Sequence, residues 1–123
     1  MKPKKVLVVD DSKLLHRIYD LLLRGCAVVH AGDGVEGLER LSQNPEVDLV
    51  LLDLNMPRMG GLEFLAQVRN DPAKAGLAII IITTEGKEAD AEKGIQAGAT
   101  AYLRKPFRNE ELVAIIERLP GRP

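Results

Sequence analysis

Short blocks of consecutive apolar residues alternate along this chain with longer stretches in which apolar residues recur every three or four positions. Val6-Leu7-Val8-Val9 is a β-branched run that stops at Asp10-Asp11, and it predicts a strand. From Ser12 the period changes, and Leu14, Leu15, Ile18, Leu21 and Leu22 fall on one predicted helical face. Asp11 or Ser12 can cap that helix and Gly25 can end it. Ala27-Val28-Val29 predicts a second strand, Gly32-Asp33-Gly34 a turn, and Val35, Leu38 and Leu41 a second helix closed by Pro45. Leu49-Val50-Leu51-Leu52, bounded by Asp48 and Asp53, has the pattern of a strand buried on both faces. A loop rich in Pro and Gly follows, Met56 to Gly61, before a third helix on Leu62, Leu65 and Val68 that ends near Asn70-Asp71-Pro72. Ile79 to Thr83 predicts a second central strand, about Ala89 to Ala97 an Ala-rich helix stopped by Gly98, and Ala101 to Arg104 a fifth strand. Leu112, Ile115, Ile116 and Leu119 mark a last helix.

Five strand-helix pairs in strict alternation imply an α/β fold, a doubly wound five-stranded parallel sheet with five helices on its two faces. With 123 residues, we expect one domain spanning 1–123, its core running from about Lys4 to Leu119, and no output domain. Net charge is −1, from 17 basic and 18 acidic residues, which gives no electrostatic reason to expect nucleic acid or an anionic membrane as partner. One cysteine, Cys26, excludes an internal disulfide framework and suits the cytoplasm. No apolar run approaches the roughly 18 residues of a membrane span.

In an open parallel sheet, function gathers at the carboxyl ends of the strands. Here those ends carry Asp10-Asp11, Asp53, Thr83-Thr84 and Lys105-Pro106. Three carboxylates placed together repel and stay ionised only beside a compensating cation. An all-oxygen ligand set favours a hard ion, and Mg²⁺ above all. The ion and Lys105 would supply positive charge where a phosphoryl group sits, Thr83 a hydrogen bond to it, and Asp53 the nucleophile for an acyl phosphate.

These segments carry a family resemblance. Val6 to Ser12, Asp33-Gly34, Leu52-Asp53-Leu54-Asn55-Met56-Pro57, Gly60-Gly61-Leu62, Ala97-Gly98-Ala99 and Tyr102 to Phe107 together resemble the receiver domain of two-component response regulators. The likeness is strongest to the stand-alone, chemotaxis-type (CheY-like) receivers. It implies a flavodoxin-like sheet of strand order 2-1-3-4-5. It implies that Asp53 takes a phosphoryl group from a histidine kinase or a histidine phosphotransfer protein. Mg²⁺, with Mn²⁺ as substitute, would be held by Asp10, Asp11, Asp53 and the main-chain carbonyl of Asn55. Lys105 would contact the phosphoryl oxygens, and its bond to Pro106 would be cis. Thr83 and Tyr102 would form the switch, with Tyr102 turning inward, and Asn55 and Glu85 would tune dephosphorylation. The downstream target would bind the face of the fourth helix, fifth strand and fifth helix. The protein would be a monomer or weak homodimer without direct nucleic-acid binding or membrane insertion, and no enzyme beyond its own phosphorylation and dephosphorylation.

The chain departs from the family's pattern at three places. Leu23 to Ala27 is about two residues short, Thr84 replaces a smaller residue beside the pocket, and Thr100-Ala101 stands where DNA-binding relatives often carry paired acids. Two other functions compete: a binding scaffold on the same fold that works without phosphorylation, and a fragment of a longer DNA-binding or effector regulator. An aspartate-nucleophile phosphatase needs a second acid two residues after the nucleophile, and Asn55 in that place cannot shuttle a proton. His16 and His30 show no metal-ligand spacing and read as ordinary surface or core residues, and Cys26 as a small buried hydrophobe.

Overall fold

The computed structural model describes residues 1–56, 58–84 and 88–120. Five strands form one parallel sheet: β1 (Lys5–Val9), β2 (Ala27–Ala31), β3 (Leu49–Asp53), β4 (Ala78–Thr84) and β5 (Ala101–Lys105), in the order β2-β1-β3-β4-β5. The helices are α1 (Lys13–Leu22), α2 (Gly34–Gln43), α3 (Gly61–Arg69), α4 (Glu88–Gln96) and α5 (Asn109–Arg118), with a short 3₁₀ turn at Pro72–Lys74 that the apolar periodicity does not reveal. The expected α/β fold and strand order are those observed. β2 runs two residues further than expected, to Ala31.

The strands' alternation divides the core in two. Leu7, Val9, Val50, Leu52, Ile79 and Ile81 pack with Phe64, Leu65 and Val68 of α3 and Leu41 of α2. Val6, Val8, Leu49, Leu51, Ile80, Ile82 and Leu103 pack with Tyr19 of α1 and Leu112 and Ile116 of α5. Because the period is two, Asp10, Asp53 and Lys105 continue the second set, following Val8, Leu51 and Leu103. The pleat aims all three at the rim above α1 and α5.

Helix α1 corrects one expectation. Leu14 and Leu21 are exposed, and the buried side is instead Tyr19 and Leu23, flanked by the half-buried Leu15 and Leu22. Tyr19 is fully buried, with its ring stacked on Phe107 at a centroid separation of 6.2 Å. A ring of that area outweighs either leucine, and the face rotates toward it. Ser12 caps the helix, its Oγ accepting from Leu15 N at 3.3 Å. Gly25 lies beyond the end: Leu23 is the capping residue, and Gly25 takes the left-handed φ of +94° in the turn to β2.

At the opposite end of the sheet, Arg69 ties three segments together. Its guanidinium donates to the carbonyls of Gly98 at 2.9 Å, Lys74 at 2.8 Å and Leu77 at 2.7 Å. At the rim itself, Gly61 starts α3 against the end of β3. A Cβ there would collide with the Asp53 carbonyl oxygen and lie 2.8 Å from Leu54 Cα. Gly61→Ala must therefore push on backbone, and should cost about 1–3 kcal/mol in urea unfolding. Gly32→Ala, with nothing within 4 Å of the added carbon, should be near neutral in the same assay.

Candidate functional site

Four strand ends build one cluster. Asp10 follows β1 and is 2% exposed. Its Oδ1 accepts from Ser12 N at 2.8 Å, which couples the carboxylate to the start of α1. Asp53 closes β3 at 6% exposure, and Asp11 is open to solvent. One carboxylate oxygen from each of Asp10, Asp11 and Asp53 lies within 4.8 Å of the other two. Lys105 reaches in from β5, with Nζ 3.3 Å from Asp10 Oδ2 and 3.8 Å from Asp53 Oδ1. Thr83, on β4 beside β5, is 1% exposed, and its Oγ1 has no hydrogen-bond partner among the described residues.

Burial dominates the electrostatics of Asp53. It pushes the carboxyl up to about 6; the Lys105 cation works against that, and the Asp10 and Asp11 charges add to it. Among the described residues one ammonium faces three carboxylates, which leaves that set with a net negative charge. Closely spaced oxygens of that charge, without His or Cys among them, fit a hard divalent cation.

The neighbouring loop is tethered. Arg58 takes a left-handed φ of 61°, and its Nε donates to Asp33 Oδ2 at 2.7 Å. Asp33 also caps α2 by accepting from Glu36 N at 2.9 Å, and its carboxyl is held below the usual range by that bond and by Arg58. Gly34 N donates to Met59 O at 3.0 Å. The loop after Asp53 is thus stitched to α2.

The structure brings Asp10, Asp11, Asp53, Lys105 and Thr83 to one edge. Asn55 is exposed on the loop following β3, and the Lys105–Pro106 peptide is cis. Tyr102 lies on β5 with 45% of its surface exposed, so its ring is outside the core. Glu85 lies outside the described residues, as does Pro57. Two participants escape a reading of the sequence. Tyr19 carries a buried hydroxyl with no hydrogen-bond partner among the described residues, its ionisation pushed up by burial and by the Asp10 and Asp53 charges. Its signal is an aromatic eight residues beyond Asp11, which a helical face drawn from aliphatic residues alone passes over. His16 is the other, with Nε2 2.7 Å from the Asp10 main-chain oxygen.

The model of the response regulator receiver domain matches residues 6–117. The chain belongs to the response regulator receiver family. It is 38% identical over 120 residues to the chemotaxis protein CheY1 of Helicobacter pylori, covering 95% of this chain and 97% of that one. It is 37% identical over 120 residues to a chemotaxis protein CheY homologue of Campylobacter jejuni, covering 95% and 92% respectively. The solved chemotaxis protein CheY4 of Vibrio cholerae superposes with a TM-score of 0.86 at 34% identity, over 95% of this chain and 98% of that one. The protein is therefore a CheY-like, phosphorylatable regulator, a signalling protein rather than an enzyme, and a histidine kinase is the partner that a receiver implies. Its acidic triad has the make-up of the metal site typical of receivers. Among the described residues no helix is long and apolar enough to cross a membrane.

The raised ionisation of Asp53 sets a pH dependence. Between about 4 and about 6 the folded protein holds a proton that the unfolded chain has released, so stability falls as pH rises through that window. Asp53→Asn should therefore stabilise the metal-free protein at pH 7.5, by on the order of 2 kcal/mol in urea unfolding. The gain should fade toward pH 4. Mg²⁺ should raise the melting temperature of the wild type, and this rise should shrink or vanish in Asp53→Asn.

Proposed function

We propose that Asp53 is the phosphoacceptor. Its carboxylate oxygen attacks the phosphorus of a phosphohistidine on a histidine kinase or a histidine phosphotransfer protein. The O–P bond forms as the P–N bond breaks, and the electron pair leaves with the imidazole, which takes up a proton. The observation that carries this reading is the convergence of Lys105 Nζ on both Asp10 and Asp53 at the rim; Thr83, at the end of the neighbouring strand β4, has a buried hydroxyl with no hydrogen-bond partner among the described residues.

Asp10, Asp11, Asp53 and the main-chain carbonyl of Asn55 would hold Mg²⁺, or Mn²⁺ in its place. When bound, the ion supplies positive charge opposite the phosphoryl oxygens. Lys105 would supply a further positive charge to the group and orient it. Thr83 Oγ1 donates to a phosphoryl oxygen, satisfying a buried hydroxyl that has no partner among the described residues. Asn55 and Glu85 tune the loss of the group to water.

The new charge of about −2 at the rim would draw Thr83 inward, and Tyr102 would follow into the space it leaves. The readout surface is the face of α4, β5 and α5, where Ile95, Tyr102 and Val113 already expose apolar area. A protein target binding there would sense the change. In this reading the chain acts as a single receiver domain in the cytoplasm, as a monomer or weak homodimer, without nucleic acid.

With acetyl phosphate as donor, Asp53→Asn should abolish Mg²⁺-dependent labelling, read as acyl phosphate by intact-protein mass; full labelling of that variant would sink the assignment. Thr83→Ala should still label, while the NMR shifts that beryllium fluoride induces in α4 and β5 should fall by more than half. Unchanged shifts would remove Thr83 from the switch.

A further inference from the structure

His16 and His30 lie fourteen residues apart in sequence, one on α1 and the other on β2, and the fold sets their rings against each other. The centroids are 4.6 Å apart and the planes meet at 71°. The two Nδ1 atoms face each other at 2.5 Å. Both remaining ring nitrogens are committed. His16 Nε2 lies 2.7 Å from the main-chain oxygen of Asp10, and His30 Nε2 lies 2.8 Å from Asp20 Oδ1. A carbonyl and a carboxylate only accept, so each Nε2 carries the hydrogen. In neutral rings both Nδ1 atoms then present lone pairs to the same point. At that separation they repel unless an electrophile lies between them.

We propose that this pair is a second metal site, separate from the acidic one, for a borderline divalent ion of the zinc, copper or nickel kind. Imidazole nitrogen selects such ions as carboxylate oxygen selects Mg²⁺. A carboxylate that accepts from the far nitrogen of a ligating ring is the usual device for fixing its tautomer and orientation, and Asp20 does this for His30. Tetrahedral binding with metal–nitrogen distances near 2.0–2.1 Å puts two nitrogens about 3.3 Å apart, so the rings need part by only about 0.8 Å. β2 is an edge strand, hydrogen-bonded on one side alone, and can yield by that amount. The His30 side chain is 36% exposed, so water can reach the pair and complete the coordination. A shared proton fits the same geometry, and is the reading to be excluded.

The full chain, held in saturating Mg²⁺ to occupy the acidic site, is titrated with Cu²⁺ and read by electron paramagnetic resonance. One equivalent should bind with hyperfine splitting from two nitrogens, and Zn²⁺ should displace it. The signal should survive Asp53→Asn, disappear in His30→Gln, and require about tenfold more Cu²⁺ in Asp20→Ala. Absence of bound Cu²⁺, or oxygen-only coordination in the wild type, would overturn the proposal and leave a shared proton. So would a signal lost in Asp53→Asn but kept in His30→Gln. The nitrogen count is taken on the wild type, so the result stands whether or not a variant folds.

Discussion

Everything at the working edge depends on one imbalance: two carboxylates almost removed from water, a third beside them, and, among the described residues, a single ammonium to offset the charge. Asp10 and Asp53 sit at 2% and 6% exposure. Burying like charges side by side is unfavourable unless their repulsion is screened or cancelled. Lys105 cancels part of it. The remainder makes the rim a place where a further cation is welcome and where the ionisation of Asp53 is displaced from its ordinary range.

The sheet is what forces this imbalance into being. In β1, β3 and β5, residues point alternately to two helical layers, and the residue that follows the last buried position on the α1 and α5 side is Asp10, Asp53 or Lys105. None of the three could retreat without tilting a strand whose inward residues are packed. The β4 contribution differs. Thr83 falls with the opposite set of residues, and its buried hydroxyl meets no hydrogen-bond partner among the described residues.

Much of this was legible in the chain itself. Continuous apolar runs ending in Asp, Thr or Lys gave both the strands and the membership of the cluster, since a parallel strand buried on both faces admits polar residues only at its ends. What escaped was set by side-chain packing rather than by period. On α1, leucines at 14 and 21 promised a face that the volume of Tyr19 turned away from the core. His16 and His30 meet only because α1 crosses beside the edge strand β2, a neighbour relation that depends on sheet order, and no spacing in sequence encodes it. Tyr102 is an aromatic in a strand, the kind of residue that usually enters the core, yet 45% of it is exposed because β5 is the other edge of the sheet.

The far end of the molecule is built on the opposite principle. There Arg69 gathers the carbonyls of Lys74, Leu77 and Gly98, which belong to the turn after α3, the approach to β4 and the turn just beyond α4. A planar guanidinium can hold three such acceptors at once, and a lysine cannot reproduce that fork. The consequence is mechanical asymmetry. The domain is riveted at its base, so in the proposed switch a displacement begun among the acids would be steered along the upper halves of β4 and α4, with the lower halves as a fulcrum.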